Sequence, residues 1–235
     1  MIAEKHIVSE VSLMKIRTLV FAMVLTAGIA AAALAQPYPS PTGSGCGNGA
    51  IYITTLDNSA VHDMDKYWGN PKDFGRVASY ILAYKLMWIT GKPVIVLDKP
   101  TDELMTSDGS PNVEKAKELQ GDMPASCIVL GQITSAVIET KRVFKPGESR
   151  KKYRISVKVR LVLIDAKTGE VKLDAPYSEY HETSLLEQEN INNADKRPGF
   201  SMDPVEAGGS ALGVPFSRIF GRFARSIAAM PQAAD

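Results

Sequence analysis

Three histidines and a handful of neighbouring carboxylates are the only side chains in this sequence whose types suggest acid/base or metal chemistry. His62, Asp63 and Asp65 share one short polar segment, and His181-Glu182 closes a run of alternating residues further on. Such a set suits metal-assisted or general-base hydrolysis if three protein ligands converge. The simpler alternative is a solvated loop after a strand and a surface histidine at a strand end. No Gly-x-Ser-x-Gly elbow is present to activate a serine. The glycines at 208, 209 and 213 lack the lysine and the preceding strand of a phosphate loop. No cofactor is implied, and the expectation is a protein that is not an enzyme; an envelope hydrolase built on His62 is kept as an alternative.

A different chemistry is concentrated elsewhere. Lys141, Arg142, Lys145, Arg150, Lys151, Lys152 and Arg154 place seven cations against the single acid Glu148 within fourteen residues. This cluster surrounds Pro146-Gly147, which marks a hairpin tip, and it suits an anionic membrane surface or an acidic protein face. The alternative is a solvated turn whose charges blunt an exposed strand edge. Tyr67, Trp68, Tyr177 and Tyr180 form a second candidate contact set, because Tyr and Trp are enriched at binding hot spots.

Whole-chain arithmetic restricts the partners. The chain has 235 residues, 27 basic and 26 acidic, which argues against nucleic acid as the main partner. Hydrophobic residues at 45% and charged residues at 23% are globular values that allow one full domain. At the start, Met14-Lys15-Ile16-Arg17 precedes an apolar run from Leu19 to Leu34, and Ala33-Leu34-Ala35 fits the small-x-small rule before Gln36. Residues 1–35 are therefore expected to be a signal peptide cleaved after Ala35, with translation starting at Met14 and a periplasmic product. An uncleaved anchor is the alternative, but the run is shorter than the ~20 residues a spanning helix needs. Setting aside residues 1–35, with Lys5, Lys15, Arg17, Glu4 and Glu10, leaves 24 charges of each sign, so the basic cluster is a local excess. An oxidising compartment favours a disulfide between Cys46 and Cys127, the only two cysteines; two isolated thiols are the alternative.

The elements that must position these groups follow from periodicity. Residues 36–49 are Pro, Gly and small polar residues, a flexible linker. Ile51 to Leu56 is expected as a strand. Asn70-Pro71-Lys72-Asp73 starts a helix whose apolar positions Phe74, Val77, Ala78, Ile81, Leu82, Leu86 and Ile89 recur every three or four residues until Gly91. Pro93 to Leu97 is a second strand, and a second helix opens at Ser110-Pro111 and closes at Gly121. Cys127 to Ile138 is a third strand. Tyr153 to Asp165 alternates Ile155, Val157, Val159, Leu161 and Leu163 with polar residues, and the turn around Gly169 returns it through Val171 to Glu182. Residues 183–210 show no periodicity, and Leu212 to Met230 is an amphipathic helix with Arg218, Arg222 and Arg225 on its polar face. The result is an α/β (α+β) chain: a single mixed β-sheet of about five strands with helices packed on it and a C-terminal amphipathic helix.

Within that layout, Ile128-Val129-Leu130-Gly131-Gln132-Ile133, the alternating strand Ile155 to Ile164, and Asp165-Ala166-Lys167-Thr168-Gly169-Glu170-Val171 resemble a known superfamily. It comprises the curli secretion channel (CsgG-like) family and the lipoprotein activators of penicillin-binding proteins (LpoB-like), with the amino-terminal domain of the Tol-system propeller protein (TolB) similar in layout. The resemblance covers roughly residues 50–230. It implies a single domain over 50–235 that works without catalysis, docking an envelope protein partner in cell-envelope biogenesis, such as a peptidoglycan synthase. A component of an outer-membrane secretion assembly is the alternative it offers. The sequence departs from the channel branch because Glu139 to Lys152 is too polar for a lipid-facing hairpin and 183–210 lacks the alternation of barrel strands. It also departs from both branches in lacking a lipid-carrying cysteine at the cleavage site.

Overall fold

The run Ala50–Thr55 (β1) is almost entirely β-branched or aromatic, and it is buried on both faces, as the central strand of a parallel unit must be. Ile51 and Ile53 enter one hydrophobic cluster and Tyr52 the other, so the two-residue period divides the strand between two cores. The computed structural model describes residues 46–61, 71–119, 125–145, 148–184 and 203–231, all of which fall in the compact unit Pro41–Asp235. His62, Asp63, Asp65, Tyr67 and Trp68 lie outside the described residues, as does the segment expected to be a signal peptide.

From β1 the chain runs through α1 (Pro71–Thr90), β2 (Val94–Pro100), a 3-10 turn (Thr101–Leu104), α2 (Val113–Glu118), β3 (Ala125–Lys145), β4 (Glu148–Asp165), β5 (Val171–Thr183), α3 (Pro204–Gly209) and α4 (Val214–Ala228). The sheet order is β2-β1-β3-β4-β5. β1 is parallel to β2 and β3, while β3, β4 and β5 form an antiparallel meander. This is the single mixed five-stranded sheet expected from the sequence, with helices packed on it.

One face is covered by α1 and α4. Phe216, Ile219, Phe220, Phe223, Ala224 and Ile227 of α4 are buried there beside Phe74, Ile81, Leu82 and Leu86 of α1. Phe74 and Phe216 meet edge to face at 5.5 Å, the arrangement that aromatic quadrupoles favour. The opposite face is covered at one end by the 3-10 turn and α2, which close a smaller core of Tyr52, Leu104, Ala116, Ile128, Leu130, Val162 and Ile164. Buried hydroxyls fix the turn to the sheet: Thr101 Oγ1 donates to Thr55 O at 2.9 Å, lies 2.7 Å from Thr54 Oγ1 and accepts from Gly131 N at 3.3 Å. Gly169 has φ +78, which only glycine adopts without strain, and it lets the β4–β5 turn close.

Three expectations need correcting. The second helix does not open at Ser110-Pro111: Asn112 caps it by accepting from Lys115 N at 3.1 Å, because Pro111 is held in a bridge with Met105 and Ser110 N bonds to Asp108. The aperiodic stretch 183–210 contains α3, six residues long and therefore too short to show a period; its signal was local, Asp203 capping ahead of Pro204. The third and fourth strands do not stop at Ile138 and Tyr153. They continue to Lys145 and from Glu148, so the polar segment between them is ladder and not loop.

Candidate interaction surface

Past the end covered by α2, the second face of β3–β4–β5 carries no packed element among the described residues. The alternation of exposure shows this most clearly in β5, where Asp174, Pro176, Ser178, Tyr180 and Glu182 are all exposed and the residues between them are half-buried against the α4 side. Residues directly opposite in register share a face. The open face is thus built from cross-strand rows: Lys141–Lys152, then Glu139–Arg154–Glu182, then Val137–Ser156–Tyr180, then Ser135–Lys158–Ser178, then Gln132–Arg160–Pro176. β4 supplies a central line of Lys152, Arg154, Lys158 and Arg160, interrupted only by Ser156.

The middle row is the apolar one. Val137 is 48% exposed and Tyr180 50% exposed, on either side of the short Ser156. The Arg154 guanidinium lies 4.1 Å from the centre of the Tyr180 ring, a cation–π contact that ties the two side chains to each other. Two residues that the sequence offered separately, one as a hairpin cation and one as an aromatic contact, are here one feature. Tyr177 belongs to the other face: it meets the Phe223 ring edge to face at 6.0 Å under Arg222, and burial pushes its hydroxyl pKa up. It is packing.

The free edge of the meander is covered in its Pro176–Tyr180 stretch. Ser178 O and Tyr180 O point away from β4 and accept from Arg222 Nη2 at 2.9 Å and Arg218 Nη1 at 3.2 Å, and Arg222 also pairs with Glu179 at 3.1 Å. Pro176 occupies the same alternate positions, so its missing N–H falls on that edge too. With two of its carbonyls taken and one donor deleted, this stretch of the edge is a poorer template for another strand. Contact is therefore directed to the face.

At the covered end, Arg160 grips Asp174 through Nε at 2.9 Å and Nη2 at 2.7 Å while Nη1 donates to Gly109 O at 2.7 Å. It ties the 106–110 turn to the sheet. The hydrogen bond from Arg160 holds the Asp174 carboxyl below the usual carboxylate range, with burial opposing it. Burial works to raise Asp165 as well, but hydrogen bonds from Lys172, Thr168 N and Lys167 N outweigh it and hold that carboxyl low. A carboxylate depressed in the folded state stabilises it above the unfolded pKa, near 4, and loses that contribution as pH falls through the folded value. Thermal stability should therefore decline as pH drops below about 4. The acid limb of a Tm-against-pH curve should be shallower in Asp174→Asn than in the parent.

The remaining sequence candidates are scattered. His181 sits half-buried in β5 opposite Ile155, and its neighbour Glu182 is opposite Arg154, committed to the open face. Among the described residues no group of three or more His, Cys, Asp and Glu is gathered to hold a metal. Cys46 and Cys127 are joined in a disulfide, with Cα atoms 5.4 Å apart and both residues buried. Of the basic cluster, Lys141, Arg142 and Lys152 are exposed and Arg154 is half-buried on Tyr180; Lys145, Arg150 and Lys151 are placed by backbone register only. Lys158 and Val137 were not singled out by the sequence. The only signal for Lys158 was its place in the polar half of the β4 alternation.

No family model and no curated protein matches this chain. Solved structures that it is similar to include hypothetical protein CT253 from Chlamydia trachomatis, at 14% identity and TM-score 0.47 over 77% of this chain and 96% of that one. A PelC dodecamer from Paraburkholderia phytofirmans is similar at 15% identity and TM-score 0.40, over 78% and 91%. The LpoB C-terminal domain from Salmonella enterica is similar at 10% identity and TM-score 0.34, over 59% and 84%. At these identities and scores the likeness carries no functional argument. No helix among the described residues is long and apolar enough to cross a membrane.

Proposed function

We propose that this chain is an exported, non-catalytic adapter of the cell envelope that docks a protein partner on the open face of β3–β4–β5. The observation that carries the reading is the row Val137–Ser156–Tyr180. It offers half-exposed apolar surface and an aromatic ring in contact with Arg154, flanked by the charged row Glu139–Arg154–Glu182 on one side and by Ser135–Lys158–Ser178 on the other. Protein interfaces place Tyr and Arg at such central positions, with polar residues around them, and preorganised side chains lose less entropy on binding. The export-type start of the chain supports an envelope location. In the finer form, the partner is a peptidoglycan synthase or another envelope assembly, as the resemblance to the penicillin-binding-protein activators and curli-channel proteins suggests.

A photo-crosslinking amino acid placed at Val137 or at Tyr180 in living cells tests this. The expected result is a protein adduct of one discrete mass at both positions. The adduct at 137 should be lost when Tyr180→Ala or Lys158→Glu is added, and it should be absent when the probe is placed at the exposed Val205. Labelling at Val205 equal to that at 137 and 180, or none at 137 and 180, would remove the open face as the docking site.

A further inference from the structure

β5 ends at Thr183, opposite Tyr153, and beyond the row Thr140–Tyr153–Thr183 the strands β3 and β4 continue as a pair. Their register sets Lys141 opposite Lys152, Arg142 opposite Lys151, Val143 opposite Arg150, Phe144 opposite Ser149 and Lys145 opposite Glu148. At about 3.4 Å per residue, these five rows make an arm roughly 17 Å long. A two-stranded ribbon is marginal by itself in water. Here its first two rows put cation directly against cation, an arrangement that destabilises a ladder. The charge is placed where it weakens the arm, and bound anions would relieve that repulsion.

We infer that the arm docks on an anionic lipid surface. Charge sets the class of partner, since the only acid in the arm is Glu148 against six cations. The distribution of that charge favours lipid over an acidic protein patch. Lys141 and Arg142 are adjacent along β3, both exposed, and therefore on opposite faces of the ribbon. A flat protein face meets one side of a ribbon and leaves the other cations unmatched. A headgroup layer entered end-on presents phosphates to both sides at once, and each Lys or Arg near such a surface adds to the attraction. This inference uses residues apart from the Val137–Tyr180 row and does not rest on the protein-docking reading.

Flotation with vesicles tests it, using the protein as the cell leaves it and the same amino terminus in every variant. The parent should partition onto vesicles containing phosphatidylglycerol and not onto pure phosphatidylcholine, and added salt should release it. Lys141→Gln with Lys152→Gln should lower that partition by about thirtyfold, two cations' worth. Lys99→Gln with Lys167→Gln, the same charge change on exposed residues elsewhere, should leave it unaltered. Lys152→Glu separates docking from folding: it puts an acid opposite Lys141, so Tm should hold or rise while vesicle binding is lost. Equal partition onto neutral vesicles, an equal fall in the Lys99/Lys167 variant, or retention of binding by a phosphatidylglycerol-independent route to a soluble acidic polymer would overturn the inference. A Lys152→Glu protein that loses Tm together with binding would overturn it too, by making the arm a structural element only.

Discussion

Replacing Cys127 by alanine, or reducing the bridge to Cys46, will cost the folded protein about 4 kcal/mol and lower its Tm by roughly 10 °C. The two cysteines are 81 residues apart, and the closed loop holds β1, α1, β2 and α2, so the bridge removes much of the unfolded chain's freedom in the half of the sheet that folds by crossover. Parallel pairings of β1 with β2 and β3 are long-range and bring no compensating hairpin contact, which makes this half the more dependent on the tether. Both residues are buried, at 1% and 0% exposure, so the native bridge is shielded and its loss is to be read in a melt with and without reductant. Reductant should lower the Tm of the parent and leave that of the double alanine variant where it is. A parent melt indifferent to reductant would show that the bridge adds nothing. Cys127→Ala keeps a small apolar group at the position opposite Asp165 in β4, and Cys46→Ala leaves β3 untouched, so agreement between the two single variants isolates the tether from packing.

Much of the architecture was legible because it is local. The three- and four-residue spacing from Phe74 to Ile89, with Asn70-Pro71 before it and Gly91 after it, is the α1 that the structure contains. The alternation of β4 and the turn at Gly169 needed only neighbours in sequence. What escaped depends on pairing. The seven cations were countable, but that Lys141 faces Lys152 and Arg142 faces Lys151 is a fact of register between strands, and a stretch polar on both faces has no period to show that it is a strand at all. Arg218 and Arg222 had the look of the solvated side of an amphipathic helix; their role on the β5 carbonyls exists only once α4 lies along that edge. The open face was hidden for the same reason. Ser156, Lys158 and Arg160 alternate as the wet side of any half-buried strand would, and only the short reach of the 3-10 turn and α2 reveals that nothing described covers the Val137–Tyr180 row.

Gly75→Ala will destabilise the fold by several kcal/mol, although the same exchange inside a helix ordinarily stabilises by roughly 0.5–1 kcal/mol through backbone entropy and helix propensity. Gly75 lies in the first turns of α1, where a Cβ would be 2.1 Å from Leu56 O and 3.0 Å from Asn58 Oδ1. The first of these is backbone and cannot rotate away. The close approach is also what lets Ser79 Oγ, one turn on, accept from Leu56 N at 2.9 Å while donating to Gly75 O at 2.8 Å, so that α1 is bonded to the end of β1 through a buried hydroxyl. Moving the helix out to admit a methyl group breaks that contact and leaves a buried N–H without its acceptor, a loss of about 1–3 kcal/mol beyond the steric one. Gly221 in α4 is the internal control: a Cβ there would meet only the Arg225 guanidinium at 3.6 Å and 4.0 Å, ordinary contact, so Gly221→Ala should be neutral or stabilising. Denaturation midpoints of the two variants should therefore move in opposite directions, or one move while the other stays. Equal small gains in both would mean that α1 is free to slide from the end of β1, and that the Ser79 bond does not fix the helix to the strand.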